Sequence, residues 1–116
     1  MKIALIINTS FYERVSSALA LALAYSALGG NVSVLFYYEG VLRLRKGYED
    51  EGWKEKLPKI SEQLKFLRKY GGKIYACPAA MAYHNLTKDD LTNELDGVRG
   101  LVEFLADAKD GTIIYV

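Results

Sequence analysis

Ile3-Ala4-Leu5-Ile6-Ile7 is an unbroken apolar run, and its reading decides the fold. A strand with one face in water alternates polar and apolar residues. A strand without alternation is buried on both faces, as in a parallel sheet flanked by helices. The next segment outward is therefore expected to be a crossover helix. Ser10 reads as its N-cap, with Glu13 three residues later completing a capping box, and Gly29-Gly30 as its stop. Apolar residues cover most of this helix's circumference, so more than one neighbour should bury it, the sheet and another subunit among them.

The same alternation continues along the chain. Val32 to Tyr37 reads as a second strand, Gly40 to Lys46 as a short ambiguous segment, and the polar stretch from Gly47 to Lys56 as a surface loop. Pro58 suits the first turn of a helix that runs to about Tyr70, with Ile60, Leu64 and Leu67 on one face and Gly71-Gly72 at its end. Lys73 to Ala76 is a third strand leading into Cys77, and Pro78 to Tyr83 a helical turn. Leu86-Thr87-Lys88-Asp89-Asp90-Leu91 carries strong helix-start signals: Thr87 caps, Asp90 closes the box and Leu86 staples onto Leu91. Asp96-Gly97 ends that helix, and a short strand is expected near Val98. Leu101 to Ala108 is helical, and Asp110-Gly111 turns into a last strand over Thr112 to Val116. The order predicts an α/β fold with a parallel sheet, helices on both faces and right-handed crossovers, as one domain over residues 1–116.

Composition narrows the function. Lys and Arg number 15 against 14 acids, a net charge of +1 that argues against nucleic-acid or membrane-surface binding. The start of the chain has no basic region or signal core, and the Val15–Leu28 stretch is too short and mild for a bilayer span, so a cytoplasmic protein is expected. One cysteine and one histidine exclude a disulfide framework, a CxxC pair and a Cys/His zinc site.

Ligands of open α/β sheets bind beyond the carboxyl ends of the strands. Those ends are Asn8-Thr9-Ser10, Tyr37-Tyr38-Glu39, Cys77-Pro78 and the C-terminus. The first loop has no glycine, so it is neither a dinucleotide fingerprint nor a P-loop, and no cofactor is expected. Pro78 at the first helical position makes Cys77 the N-cap, with its sulfur facing the free amides of Ala79 and Ala80, where a thiolate is stabilised. Cys77 is therefore the candidate nucleophile. Pro78, Ala79 and Ala80 around it, with Ser10 and Tyr38 from adjacent strand ends, are candidate binding residues. The plainer alternative stands beside this: free cysteines are among the most buried residues and are often inert. His84 lies about 10 Å from Cys77 along a continuous helix and reads as a surface residue, with a role across a subunit boundary as the alternative, and Glu39 reads as a solvated carboxylate. Tyr12, Tyr37, Tyr38, Tyr48, Tyr83 and Trp53, interleaved with Arg43, Arg45 and Lys46, suit a binding rim or a subunit interface, and the interface is the favoured reading.

The run Lys73-Ile74-Tyr75-Ala76-Cys77-Pro78-Ala79-Ala80-Met81, followed by Leu86-Thr87-Lys88-Asp89-Asp90-Leu91, resembles the DsrE/DsrF-like sulfur-relay family. Phe36 to Val41 and Thr112 to Val116 are similar to its second-strand and closing-strand motifs. The resemblance implies a three-layer α/β/α fold with a five-stranded parallel sheet, and assembly into trimers or hexamers. It also implies a persulfide on Cys77, exchanged with donor and acceptor proteins. Many members carry a serine three residues after the cysteine; Ala80 stands there, so hydroxyl assistance is missing. A non-catalytic oligomeric subunit with a buried Cys77 is the alternative.

Overall fold

A computed structural model describes all 116 residues. The apolar run is strand β1 (Lys2–Ile7), buried from Ile3 to Ile7. Helix α1 (Tyr12–Ala27) returns the chain to β2 (Asn31–Phe36), and a 3₁₀ segment over Tyr38–Leu44 occupies the stretch of ambiguous pattern. Then come α2 (Ile60–Lys69), β3 (Lys73–Ala76), α3 (Pro78–Tyr83), a 3₁₀ turn at Lys88–Asp90, β4 (Gly97–Val98), α4 (Leu101–Asp107) and β5 (Thr112–Tyr115).

All five strands are parallel, in the order β4-β3-β2-β1-β5. The chain steps across the sheet from β1 to β4, then crosses back to the far side of β1. Right-handed crossovers place α1 and α2 on one face and α4 on the other. Helices α1 and α2 pack side by side, where the buried Gln63 amide donates to the Ser16 carbonyl at 2.9 Å. On the opposite face Phe104 of α4 meets the Tyr75 ring edge-on at 6.3 Å. The core is continuous across the sheet and includes Leu5, Ile7, Leu19, Phe36, Leu64, Leu67 and Ile74. Three-layer α/β architecture with a five-stranded parallel sheet is therefore as the sequence predicts.

Both Gly-Gly stops form as expected. Gly29 and Gly71 take φ of +86° and +90°, a conformation open to glycine, and Gly30 and Gly72 bond back to the Tyr25 and Leu67 carbonyls. Three expectations fail. Ser10 does not cap α1: Phe11 holds the cap position without a side-chain bond. Arg43 takes the Ser10 carbonyl, and the Thr9 hydroxyl accepts the Phe11 amide at 3.1 Å, so the first turn starts later. Pro58 precedes its helix; the Ile60 amide bonds the Tyr12 phenol and the Ser61 amide bonds Asp50, two non-local caps.

The third failure is the helix expected after Leu86. Its capping box is present, with the Asp90 carboxylate accepting the Thr87 amide at 2.8 Å, but only one 3₁₀ turn follows. The Asp90 carbonyl accepts from Lys46 and the Thr92 amide donates to Leu44, pairing Leu91 antiparallel to Arg45. Long-range pairing thus takes the backbone groups that helix propagation needs. Leu86 closes α3, its amide bonding the Met81 carbonyl at 2.8 Å beyond a left-handed Asn85.

Candidate functional site

The Cys77 backbone continues the β3 ladder by one residue, its amide donating to the Phe36 carbonyl at 3.0 Å. Its extended conformation (φ −77°, ψ 125°) then hands the chain to Pro78, the first residue of α3. Cys77 is the N-cap, as the Cys-Pro pair predicts. Its thiol, however, makes no hydrogen bond to the helix amides, so the expected sulfur–amide cap is not formed. The amides of Ala79 and Ala80 have no acceptor within the protein.

Cys77 is free and only 3% exposed, yet it borders an open depression of about 630 Å³ at the carboxyl end of the sheet. The end of β2 contributes Tyr37, Tyr38 and Glu39 to the walls. Helix α3 contributes Ala79, Ala80, Tyr83 and, at its end, His84. The α3 residues converge because positions 77, 80 and 84 share one helical face, with Ala80 too small to block the space between.

The opposite wall is built under constraint. The Tyr37 amide bonds the Ile7 carbonyl at 2.8 Å, tying the turn to β1. Tyr38 follows at φ +50°, a sparsely populated region for an aromatic residue, and stacks at a tilt on Tyr37 with ring centroids 4.7 Å apart. Gly40 then passes directly over the end of β1. Partial burial pushes the Tyr37 phenol up, and the nearby Tyr38, Cys77 and Tyr115 groups push it further. At neutral pH it stays a neutral phenol.

Of the residues the sequence marks, Cys77, Ala79, Ala80 and Tyr38 meet at the depression; Pro78 shapes the turn without lining it. Ser10 is elsewhere, engaged by Arg43. Tyr37 and Glu39, at a strand end the sequence marks but read there as an interface residue and a solvated carboxylate, also line it, as do Tyr83 and His84, which the sequence does not place there. The helical spacing of Cys77, Ala80 and His84 was the available signal for His84. Although the depression holds a cysteine, a histidine and a glutamate, no three such groups converge to metal-binding distance anywhere in the chain.

The other loop aromatics are occupied within the chain. Arg43 lies over the Tyr12 ring, Arg45 over Tyr48 and Lys59 over Trp53, at 5.1, 4.6 and 4.9 Å. The 47–59 loop is tied to the body of the protein by Arg43, which donates to the Glu49 and Glu51 carbonyls. No helix is long and apolar enough to cross a membrane.

A model of the DsrE/DsrF-like family matches residues 1–112. No curated protein matches the chain. Among solved structures, the chain is similar to the MTH1491 protein of unknown function from Methanobacterium thermoautotrophicum (TM-score 0.77, 18% identity, 99% of this chain and 98% of that one). It is also similar to the ychN protein from E. coli (0.71, 14%, 100% and 99%). A third is the conserved BT1422 protein of unknown function from Bacteroides thetaiotaomicron (0.67, 17%, 99% and 94%). At these identities the likeness is one of fold.

Proposed function

We propose, for a chain that belongs to the DsrE/DsrF-like family, that it is a sulfur-relay protein: Cys77 accepts sulfur as a persulfide and passes it to a partner protein. One observation carries this reading. The lone cysteine ends an interior strand and borders an open depression, at the place where α/β sheets bind ligands.

The chemistry is two exchanges at sulfur. The Cys77 thiolate attacks the outer sulfur of a donor persulfide. The new bond joins Cys77 to that sulfur, the donor's S–S bond breaks, and the donor cysteine leaves as a thiolate. In the second step an acceptor thiolate attacks the outer sulfur and Cys77 departs as the thiolate. No net oxidation occurs, and no second cysteine is needed in this chain. The unpartnered amides of Ala79 and Ala80 and the Tyr37 phenol would face the outer, anionic sulfur. Donor and acceptor are proteins with reactive cysteines; the working form is a cytoplasmic homo-oligomer, trimer or hexamer.

Incubation with a persulfide donor followed by mass spectrometry tests the reading. The expected result is one added sulfur on the wild type and none on Cys77→Ala. The 3% exposure of Cys77 favours the second reading, a binding subunit with an inert thiol. An unloaded wild-type protein whose thiol also resists iodoacetamide decides for that one.

A further inference from the structure

His84 borders the same depression as Cys77, two helical turns further along α3. Seven residues of helix span about 10 Å, so the two positions stand well apart along the axis of α3. Ala80 lies between them and leaves the gap open. Tyr83 meets the imidazole edge-on at 5.0 Å, and neither ring nitrogen has a hydrogen-bond partner within the protein. The protein therefore presents, across one cleft, a sulfur nucleophile and a free imidazole separated by room for the reacting atoms.

Exchange at sulfur has directional geometry. Attacking, central and leaving sulfurs lie nearly in line, and the rate depends on how readily the leaving thiolate departs. A central sulfur bonded to Cys77 and directed along the depression puts the leaving sulfur on the far side of Ala80, toward His84. We infer that His84 is the general acid for the leaving thiol: its protonated imidazole gives a proton to the departing donor sulfur. Charge and atoms balance. Cys77 thiolate, donor persulfide anion and imidazolium become Cys77 persulfide anion, donor thiol and neutral imidazole. In the reverse sense the neutral imidazole takes the proton of an incoming acceptor thiol.

Histidine is the side chain that carries a transferable proton near neutrality. The groups facing it are Tyr83 and Cys77 on its own helix and Tyr37, Tyr38 and Glu39 across the cleft. Glu39 is the only acid among them.

The inference rests on the relay reading for its natural donor, but its test does not need one. Cys77 is allowed to react with two neutral disulfides: 2-hydroxyethyl disulfide, which releases a poor leaving thiolate, and 4,4′-dithiodipyridine, which releases a good one. His84→Gln should slow the first reaction about tenfold or more and change the second less than about twofold. In His84→Ala, added imidazole should restore the first rate. Equal slowing of both disulfides marks a merely structural role and overturns the inference, as does no slowing of either. Should the wild type fail to load sulfur from a persulfide yet keep this leaving-group selectivity, the relay reading falls and the role of His84 stands.

Discussion

Gly40 passes so close to Ile7 that a Cβ at position 40 would lie 2.1 Å from the Ile7 carbonyl oxygen. The obstacle is backbone at the end of a central strand, so it cannot swing aside as a side chain would. Gly40→Ala should cost about 3 kcal/mol or more, the upper range for overpacking. It should also displace the Tyr37–Glu39 wall and alter the reactivity of Cys77. Urea denaturation measures the first and iodoacetamide kinetics the second. An unchanged midpoint contradicts the close approach.

Two residues earlier, Tyr38 sits at φ +50° and is 64% exposed. Tyr38→Gly relieves the backbone strain and loses little packing. Stability should rise by as much as about 1 kcal/mol while sulfur loading of Cys77 slows. A loss of stability would show that the ring, and not the backbone, dominates at this position.

Arg43 gathers the chain around itself. Its guanidinium donates to the carbonyls of Ser10, Glu49 and Glu51 and covers Tyr12. Burial lowers its pKa from the ordinary arginine value, but it remains charged at all working pH. Arg43→Ala should cost about 2 kcal/mol or more, since part-buried carbonyls lose their donor. Arg43→Lys should not rescue it, because an ammonium lacks the planar fork. The 47–57 loop should become the first site of proteolysis in both variants. Wild-type resistance in Arg43→Lys would refute the geometric requirement.

Asp90 gives a pH prediction. The Thr87 amide and hydroxyl bond its carboxylate and lower its pKa below the ordinary 3.8. A carboxyl lowered on folding stabilises the protein above its unfolded value, and the contribution fades as pH falls through the lower folded value. The difference in Tm between wild type and Asp90→Ala should therefore be constant above about pH 5 and shrink as the solution is acidified toward pH 2. A difference that holds down to pH 2 would assign the stabilisation to something other than this carboxylate.

Much of the site's frame was legible residue by residue. Lys73–Ala76, Pro78–Tyr83 and the N-cap position of Cys77, though not a sulfur–amide bond there, follow from the sequence because proline at the first helical position and paired glycines act through their own backbone chemistry. Ser10 and the Leu86–Leu91 segment were misread despite equally good local signals. Their backbone groups are claimed from a distance, by Arg43 and by residues 44–46. His84 was discounted on its separation from Cys77, a distance that says nothing about which cavity both side chains border.

Short-range chemistry written into the chain sets the strands, the helix stops and the parallel sheet: apolar runs must be covered on both sides, and left-handed turns favour glycine. Convergence of Cys77, His84 and the strained Tyr37–Glu39 turn on one depression arises only on folding. It depends on β1, β2 and β3 ending in register and on Gly40 seating against Ile7, relations between residues far apart in the chain that no local pattern encodes.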